Sequence, residues 1–173
     1  MDIINHLNSR EKRKSVVEIG CGLGDILRNL KFERKLGFDK QKQVLNALNF
    51  LNKFYRKKKR IISTHIEFDE LFLKDKYDVI IMVNWIHKIP DHELLNKLND
   101  FYLNNLIPGG EIIIDSVIGN KNIYPYEHNF DEINRKLGGQ MKLIGVYSMG
   151  KYYDITRKTV SFKKPIKNFD LIK

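Results

Sequence analysis

Val16-Val17-Glu18-Ile19-Gly20-Cys21-Gly22-Leu23-Gly24-Asp25 is the stretch that decides how this chain folds. Val16–Ile19 reads as a buried strand, and three glycines at alternate positions end it. Ile26, Leu27 and Leu30 then give one apolar face to a helix that opens at Asp25. Strand, glycine turn and helix in this order make a nucleotide site at the carboxyl end of the first strand of a doubly wound α/β sheet. Glycine serves there because it has no Cβ to obstruct the turn or a ligand lying against it. Two nucleotide patterns are excluded. The dinucleotide fingerprint G-x-G-x-x-G/A fails at Asp25, where its last glycine would fall. The Gly-Lys-Ser/Thr of a P-loop is absent.

The composition narrows the class further. At 173 residues the chain is expected to be one domain, 1–173, with an N-terminal helix in 1–14 and the core in 15–173. A single cysteine, Cys21, excludes a disulfide framework and a cysteine-rich metal site. His87 and His92 stand five apart without a third nearby ligand, so no metal is expected. No apolar run approaches the roughly 18 residues that span a bilayer, and no signal-peptide core is present; no membrane association and a cytoplasmic protein are expected. The net charge is +10, yet 23 lysines stand against 8 arginines, alongside abundant Asn and Ile. That balance looks like A/T-rich codon usage. Nucleic-acid readers lean on Arg for bidentate contacts, so no specific nucleic-acid partner is expected. The run Arg56-Lys57-Lys58-Lys59-Arg60 falls before the third strand, at the amino end of the sheet, away from where ligands bind.

Along the chain, strands alternate with helices. A polar helix is expected in 2–13. Strands follow at 16–19, 35–39, 60–63, 77–84 and 111–117. Helices follow at 25–32, from Val44 to Tyr55, and from Pro90 to Leu106, where Ile107-Pro108-Gly109-Gly110 stops the last of them. A short helix at 131–137 precedes a closing strand pair at 140–147 and 158–162.

Glu18 stands two residues before the first glycine and completes E-x-G-x-G-x-G. This closely resembles the first motif of class I S-adenosylmethionine (SAM)-dependent methyltransferases. Tyr77-Asp78-Val79-Ile80-Ile81 resembles that family's F/Y-D-V-hydrophobic fourth strand, and Leu106 to Ile114 its L-x-P-G-G-x-hydrophobic signature. The resemblance covers nearly the whole chain. It implies a Rossmann-like seven-stranded sheet in order 3-2-1-4-5-7-6, the last strand antiparallel, with helices on both faces. It also implies SAM as cofactor. Carboxylates suit a ligand that carries a sulfonium, an ammonium and a ribose diol.

The site expected from the resemblance comprises Glu18, Gly20, Cys21, Gly22 and Gly24 at the turn, with Asp39, at the end of the second strand, on the ribose hydroxyls. An Asp that the family often places after the third strand is replaced by His65; that side chain or the Ile66 backbone is expected at the adenine edge. Asn84 and Trp85 would border the methionine portion. The N/D-P-P-Y/F/W of enzymes that methylate base amino groups is missing from Asn84-Trp85-Ile86-His87, which looks more like the corresponding stretch of small-molecule methyltransferases. His128-x-Phe130 and Arg157 resemble small bacterial enzymes of surface-polysaccharide and secondary metabolism. The expectation is therefore O-methylation of a small polar acceptor such as a sugar. His87 is the first candidate for a catalytic base and His128 the second, with Asp115 as a partner. An RNA or protein methyltransferase and a SAM-binding accessory subunit are the alternatives. So short a chain leaves little for a substrate cap, and a second copy or a partner is the candidate for completing the pocket.

Overall fold

The computed structural model describes residues 2–9, 13–56, 60–119, 121–148 and 155–166. Seven strands form one sheet: β1 (Ser15–Ile19), β2 (Arg34–Asp39), β3 (Ile62–His65), β4 (Tyr77–Met82), β5 (Leu106–Ile118), β6 (Gln140–Ser148) and β7 (Thr156–Lys163). Their order is β3-β2-β1-β4-β5-β7-β6. The first five pair in parallel, and β7 runs antiparallel to both β5 and β6. This is the doubly wound arrangement that the sequence implied.

Alternation along the central strands explains why both faces are covered. Val16, Val79 and Ile81 pack against α1 (Asp2–Asn8), α2 (Asp25–Asn29) and α3 (Lys42–Asn52) through Leu7, Leu27, Leu45 and Leu48. Val17, Ile80 and Ile112 face the other way. They meet Leu94, Leu98, Ile133 and Leu137 of α4 (Asp91–Asp100) and α5 (Phe130–Leu137). Strands buried on both faces carry apolar runs, here Val16-Val17 in β1, Val79 to Met82 in β4 and Ile112 to Ile114 in β5.

Several boundaries differ from the sequence reading. β3 begins at Ile62 rather than at residue 60. The Asn52 side chain takes both backbone groups of Ile61, accepting its N–H at 3.2 Å and donating to its carbonyl at 2.8 Å, so Ile61 is tied to α3 and not to the sheet. α2 is one turn long and ends where Leu30 turns extended. Beyond α4 the chain continues as a π-helical turn, Phe101–Asn105. Its Asn105 amide donates to the Leu73 and Asp75 carbonyls. The Pro108-Gly109-Gly110 stretch belongs to the irregular start of β5, where the register against β4 shifts. α1 ends at Asn8, and residues 10–12 of the expected helix lie outside the described residues, as do Lys57, Lys58 and Lys59 of the basic run.

α1 is too short to be stable alone. A buried carboxylate holds it: Glu111 on β5 meets His6 Nε2 at 2.9 Å and Arg13 at 2.7 Å. Burial would raise the Glu111 pKa, but hydrogen bonds from His6 and Ser161 and the Arg13 charge outweigh it and hold the group at about 2. A carboxyl lowered from 4.5 contributes stability above pH 4.5 and loses it as pH falls toward 2. Urea midpoints measured across this range should therefore drop on the acid side. Glu111→Gln, which leaves Arg13 without its counter-charge, should cost about 3 kcal/mol at neutral pH and flatten that acid limb; an unchanged midpoint at pH 7 would remove Glu111 from its place as the anchor of α1.

Candidate functional site

The turn after β1 is built from three glycines in the left-handed region: Gly20 at φ 77°, Gly22 at 52° and Gly24 at 77°. They do different work. A Cβ on Gly24 would stand 2.4 Å from Ile61 Cδ1 and 3.0 Å from Leu48, so this glycine lets the turn pack on the core. A Cβ on Gly20 would meet the Trp85 indole at 2.2 Å. A Cβ on Gly22 would meet nothing within 4 Å, because Gly22 faces open space. Asp39, at the end of β2, fixes the turn. Its Oδ2 accepts the Gly22 N–H at 2.9 Å, and its Oδ1 accepts the Gln41 N–H at 2.8 Å, just ahead of α3.

A cavity of about 490 Å³ opens here, at the carboxyl ends of β1, β2 and β4. Of the residues expected around the cofactor, Gly20, Gly22, Asp39, Ile66, Asn84 and Trp85 line it. Trp85 donates from Nε1 to the Ile19 carbonyl at 2.6 Å and meets Phe68 edge-on. Four expected residues stand outside the lining. Glu18 points to the opposite face of β1, where strand alternation puts it, and is 3% exposed. Burial pushes its carboxyl up to about 8, against a hydrogen bond from Leu27 N–H and with Asp25 and Asp39 adding to the rise. Its Oε2 has no hydrogen-bond partner. Cys21 is buried against Gly37, and burial, with Glu18 and Asp39 nearby, raises its thiol to about 12. Gly24 is the packing glycine already described. The His65 side chain is exposed and bonded to the Lys40 carbonyl at 3.0 Å.

A second cavity, of about 540 Å³, lies over the ends of β4, β5 and β7 and is walled by α1 and the start of α2. Asn84 lines both cavities. It is the only non-glycine residue with positive φ among the described residues, at 74°. Asn tolerates this conformation better than most side chains, yet such strain persists only where the surroundings hold it. Here they do. Both carboxylate oxygens of buried Asp115 accept the Asn84 N–H at 3.0 Å, and Arg157 donates from Nη1 to Asn84 Oδ1. Arg157 Nε in turn reaches Asp115 at 3.3 Å. Burial raises the Asp115 pKa, while the Asn84 N–H and the Arg157 charge oppose the rise.

The two histidines expected to act as bases stand outside both cavities. His87 is buried beneath Tyr124, ring centroids 4.7 Å apart, and Tyr124 rather than His87 faces the second cavity. Burial lowers the His87 pKa, and Lys88, Arg157 and His128 add to the effect. His128 has both ring nitrogens committed, Nδ1 to Asp91 at 2.6 Å and Nε2 to the Ile86 carbonyl at 2.9 Å. Its ring ties α4 and the turn Ile86–Lys88 to the loop before α5.

Sequence reasoning missed Phe68, Tyr147 and Arg157 as lining residues, while Tyr124 belongs to the aromatic loop that the sequence offers as a substrate wall. Phe68 sits in the irregular segment after β3, where no periodicity marks a position. The others come from separate elements that meet only in the fold. The glycines supply a test. Gly24→Ala should destabilise the domain through the Ile61 clash, by about 1–3 kcal/mol in a denaturant titration. Gly22→Val strains the positive φ but meets no neighbour, and should leave a folded domain whose first cavity no longer takes a nucleoside ligand in calorimetry. The reverse pattern would exchange the two roles.

Comparison with known proteins agrees with this geometry. A family described as "Methyltransferase domain" matches residues 1–138. No curated protein matches the sequence. Among solved structures, magnesium protoporphyrin IX methyltransferase (ChlM) from Synechocystis PCC 6803 with bound SAM superposes with a TM-score of 0.73 at 16% identity, over 94% of this chain and 76% of that one. The N-methyltransferase NodS from Bradyrhizobium japonicum WM9, in complex with S-adenosyl-L-homocysteine, gives 0.71 at 15%, over 94% and 84%. A possible exported protein from Bordetella parapertussis gives 0.70 at 14%, and the chain spans 65% of its length. At these identities the structures establish the fold, and the family match over most of the sequence establishes the lineage. The chain belongs to the class I methyltransferase family.

Proposed function

We propose that the chain is a SAM-dependent methyltransferase that methylates an oxygen of a small polar acceptor. The observation that carries this reading is the pair of cavities meeting at Asn84, one formed on the glycine turn and one over the ends of β4, β5 and β7. A two-substrate transfer needs two adjoining sites.

The residues present fit SAM. Gly22 leaves open the space a Cβ would fill. Asp39 uses one acceptor position on each oxygen for the protein's own N–H groups. A carboxylate offers about four such positions, so two remain for a ribose diol. Ile66 and Phe68 provide the apolar wall for adenine, and Trp85 closes the side toward β4. When bound, SAM supplies a methyl group activated by its sulfonium. The protein's work is then positioning, for which effective molarity contributes up to roughly 7–11 kcal/mol. Asn84 stands where the two reactants would meet, held by Asp115 and Arg157. The expected sugar hydroxyl would benefit from a general base, and neither histidine lines the acceptor cavity. The reading therefore keeps the small acceptor and drops the histidine base.

Calorimetry with S-adenosyl-L-homocysteine tests the cofactor site. Wild-type protein should bind, and Asp39→Ala should weaken binding by about 1.5–3 kcal/mol, the range for a hydrogen bond to a charged group. Unchanged affinity would take the ribose away from Asp39. Sequence-dependent, sub-micromolar binding of tRNA at physiological salt would instead favour an RNA acceptor, since charge alone gives only loose, salt-sensitive binding.

A further inference from the structure

The acceptor cavity carries a group of donors whose arrangement selects among nucleophiles. Arg157 has only N–H donors, so the Asn84 atom facing it must be Oδ1. The Asn84 NH₂ is thereby turned away from Arg157, on a residue that lines both cavities. Arg157 is held by Asp115 through Nε and by Asn84 through Nη1. Its Nη2 has no acceptor among the described residues, and its side chain is 35% exposed at the cavity. The junction thus offers two sets of N–H donors, fixed in place from below by a carboxylate that is 1% exposed.

Donors at this point treat nucleophiles unequally. A neutral amine has one lone pair, and a hydrogen bond to it removes the pair that must attack. A protonated amine would face the Arg157 charge. An alcohol oxygen needs a base, and the local candidates are poorly placed to serve: the Asp115 carboxyl is 1% exposed and paired with Arg157, and the rings of His87 and His128 lie outside the cavity. Asp2 and Asp25 also border the cavity, but from the helices, where Tyr147 hydrogen-bonds the first and Arg28 pairs with the second at 3.4 Å. A carboxylate satisfies every condition. It is ionised at neutral pH, it pairs with guanidinium in a fork, and one oxygen can accept from Asn84 and still keep a lone pair for attack.

We infer that the acceptor is a small carboxylic acid, docked by its carboxylate on Asn84 and Arg157, and that the product is its methyl ester. This rests on the methyltransferase reading above. One carboxylate oxygen forms the bond to the methyl carbon. The carbon–sulfur bond breaks and leaves its electron pair on sulfur. A sulfonium and a carboxylate become a neutral thioether and a neutral ester, and no proton moves, so no base is required.

The carboxylate read by Arg157 has two sources, the acceptor and the methionine end of the cofactor, and the experiment separates them. The full chain is incubated with methyl-labelled SAM and the small-molecule fraction of a bacterial extract. The product is then raised to about pH 11, where methyl esters release volatile methanol while ethers and methylamines keep the label. Base-labile label is expected, reduced at least 100-fold in Arg157→Gln and partly recovered in Arg157→Lys. Asn84→Asp is the second variant: Asp tolerates positive φ and keeps an oxygen for Arg157, yet it removes the donor pair, so it should lose the ester as well. Calorimetry with S-adenosyl-L-homocysteine should give an affinity for Arg157→Gln within threefold of wild type. Base-stable label overturns the inference and leaves the methyltransferase reading standing. A tenfold loss of S-adenosyl-L-homocysteine affinity in Arg157→Gln overturns it too, by assigning the guanidinium to the cofactor. No transferred label of any kind sinks both.

Discussion

One carboxylate sets the geometry on which the site depends. Asp39 stands at the end of β2 and reaches across to the turn that follows β1, accepting from Gly22 on one oxygen and from Gln41 on the other. The glycine turn is thereby fixed to the neighbouring strand. The Phe38 carbonyl reinforces this by accepting from Gly20 and Cys21 at 2.7 and 3.0 Å. Without these bonds the left-handed glycines 20, 22 and 24 would have little to hold them, since glycine is also the residue with the most conformational freedom to lose. A role in binding and a role in holding the loop therefore coexist in one side chain, because a carboxylate has more acceptor positions than the protein uses.

A second constraint is the two-residue period of β1. Ile19 faces the first cavity while Glu18 faces the helices, so the acid closest in sequence to the glycines is the one shut away from the ligand space. The protein keeps a carboxyl there with its pKa near 8, largely by burial. Asp115 is buried as well, yet it is matched by the Asn84 N–H and by Arg157. Buried charge left unmatched is expensive, and buried charge that orients a neighbour is a common way to hold a strained backbone in place.

Much of this was legible in the sequence, and the parts that were not share a cause. The glycine turn, the acid ending β2 and the apolar runs of β4 and β5 are local patterns, and each predicts a local structure with a fixed place in the sheet. The strand order came from resemblance and not from any single stretch. The start of β3 was misplaced because Asn52, nine residues earlier, takes the backbone of Ile61. For His128 the sequence shows a histidine in an aromatic loop, and only the fold shows Asp91 and the Ile86 carbonyl on its two nitrogens. The acceptor cavity was out of reach for the same reason. Asn84 follows β4, Asp115 stands on β5 and Arg157 on β7, and they acquire meaning only from their distances.

Trp85 gives the molecule an intrinsic optical probe. It is the only tryptophan in the chain, it rests on Gly20, and it borders the nucleoside cavity while Phe68 packs against its ring. Its N–H is already committed to the Ile19 carbonyl, so the indole is orientationally pinned and its emission depends on what occupies the space beside it. Occupancy of that cavity can thus be followed by fluorescence on the unlabelled protein, with no second tryptophan to dilute the signal.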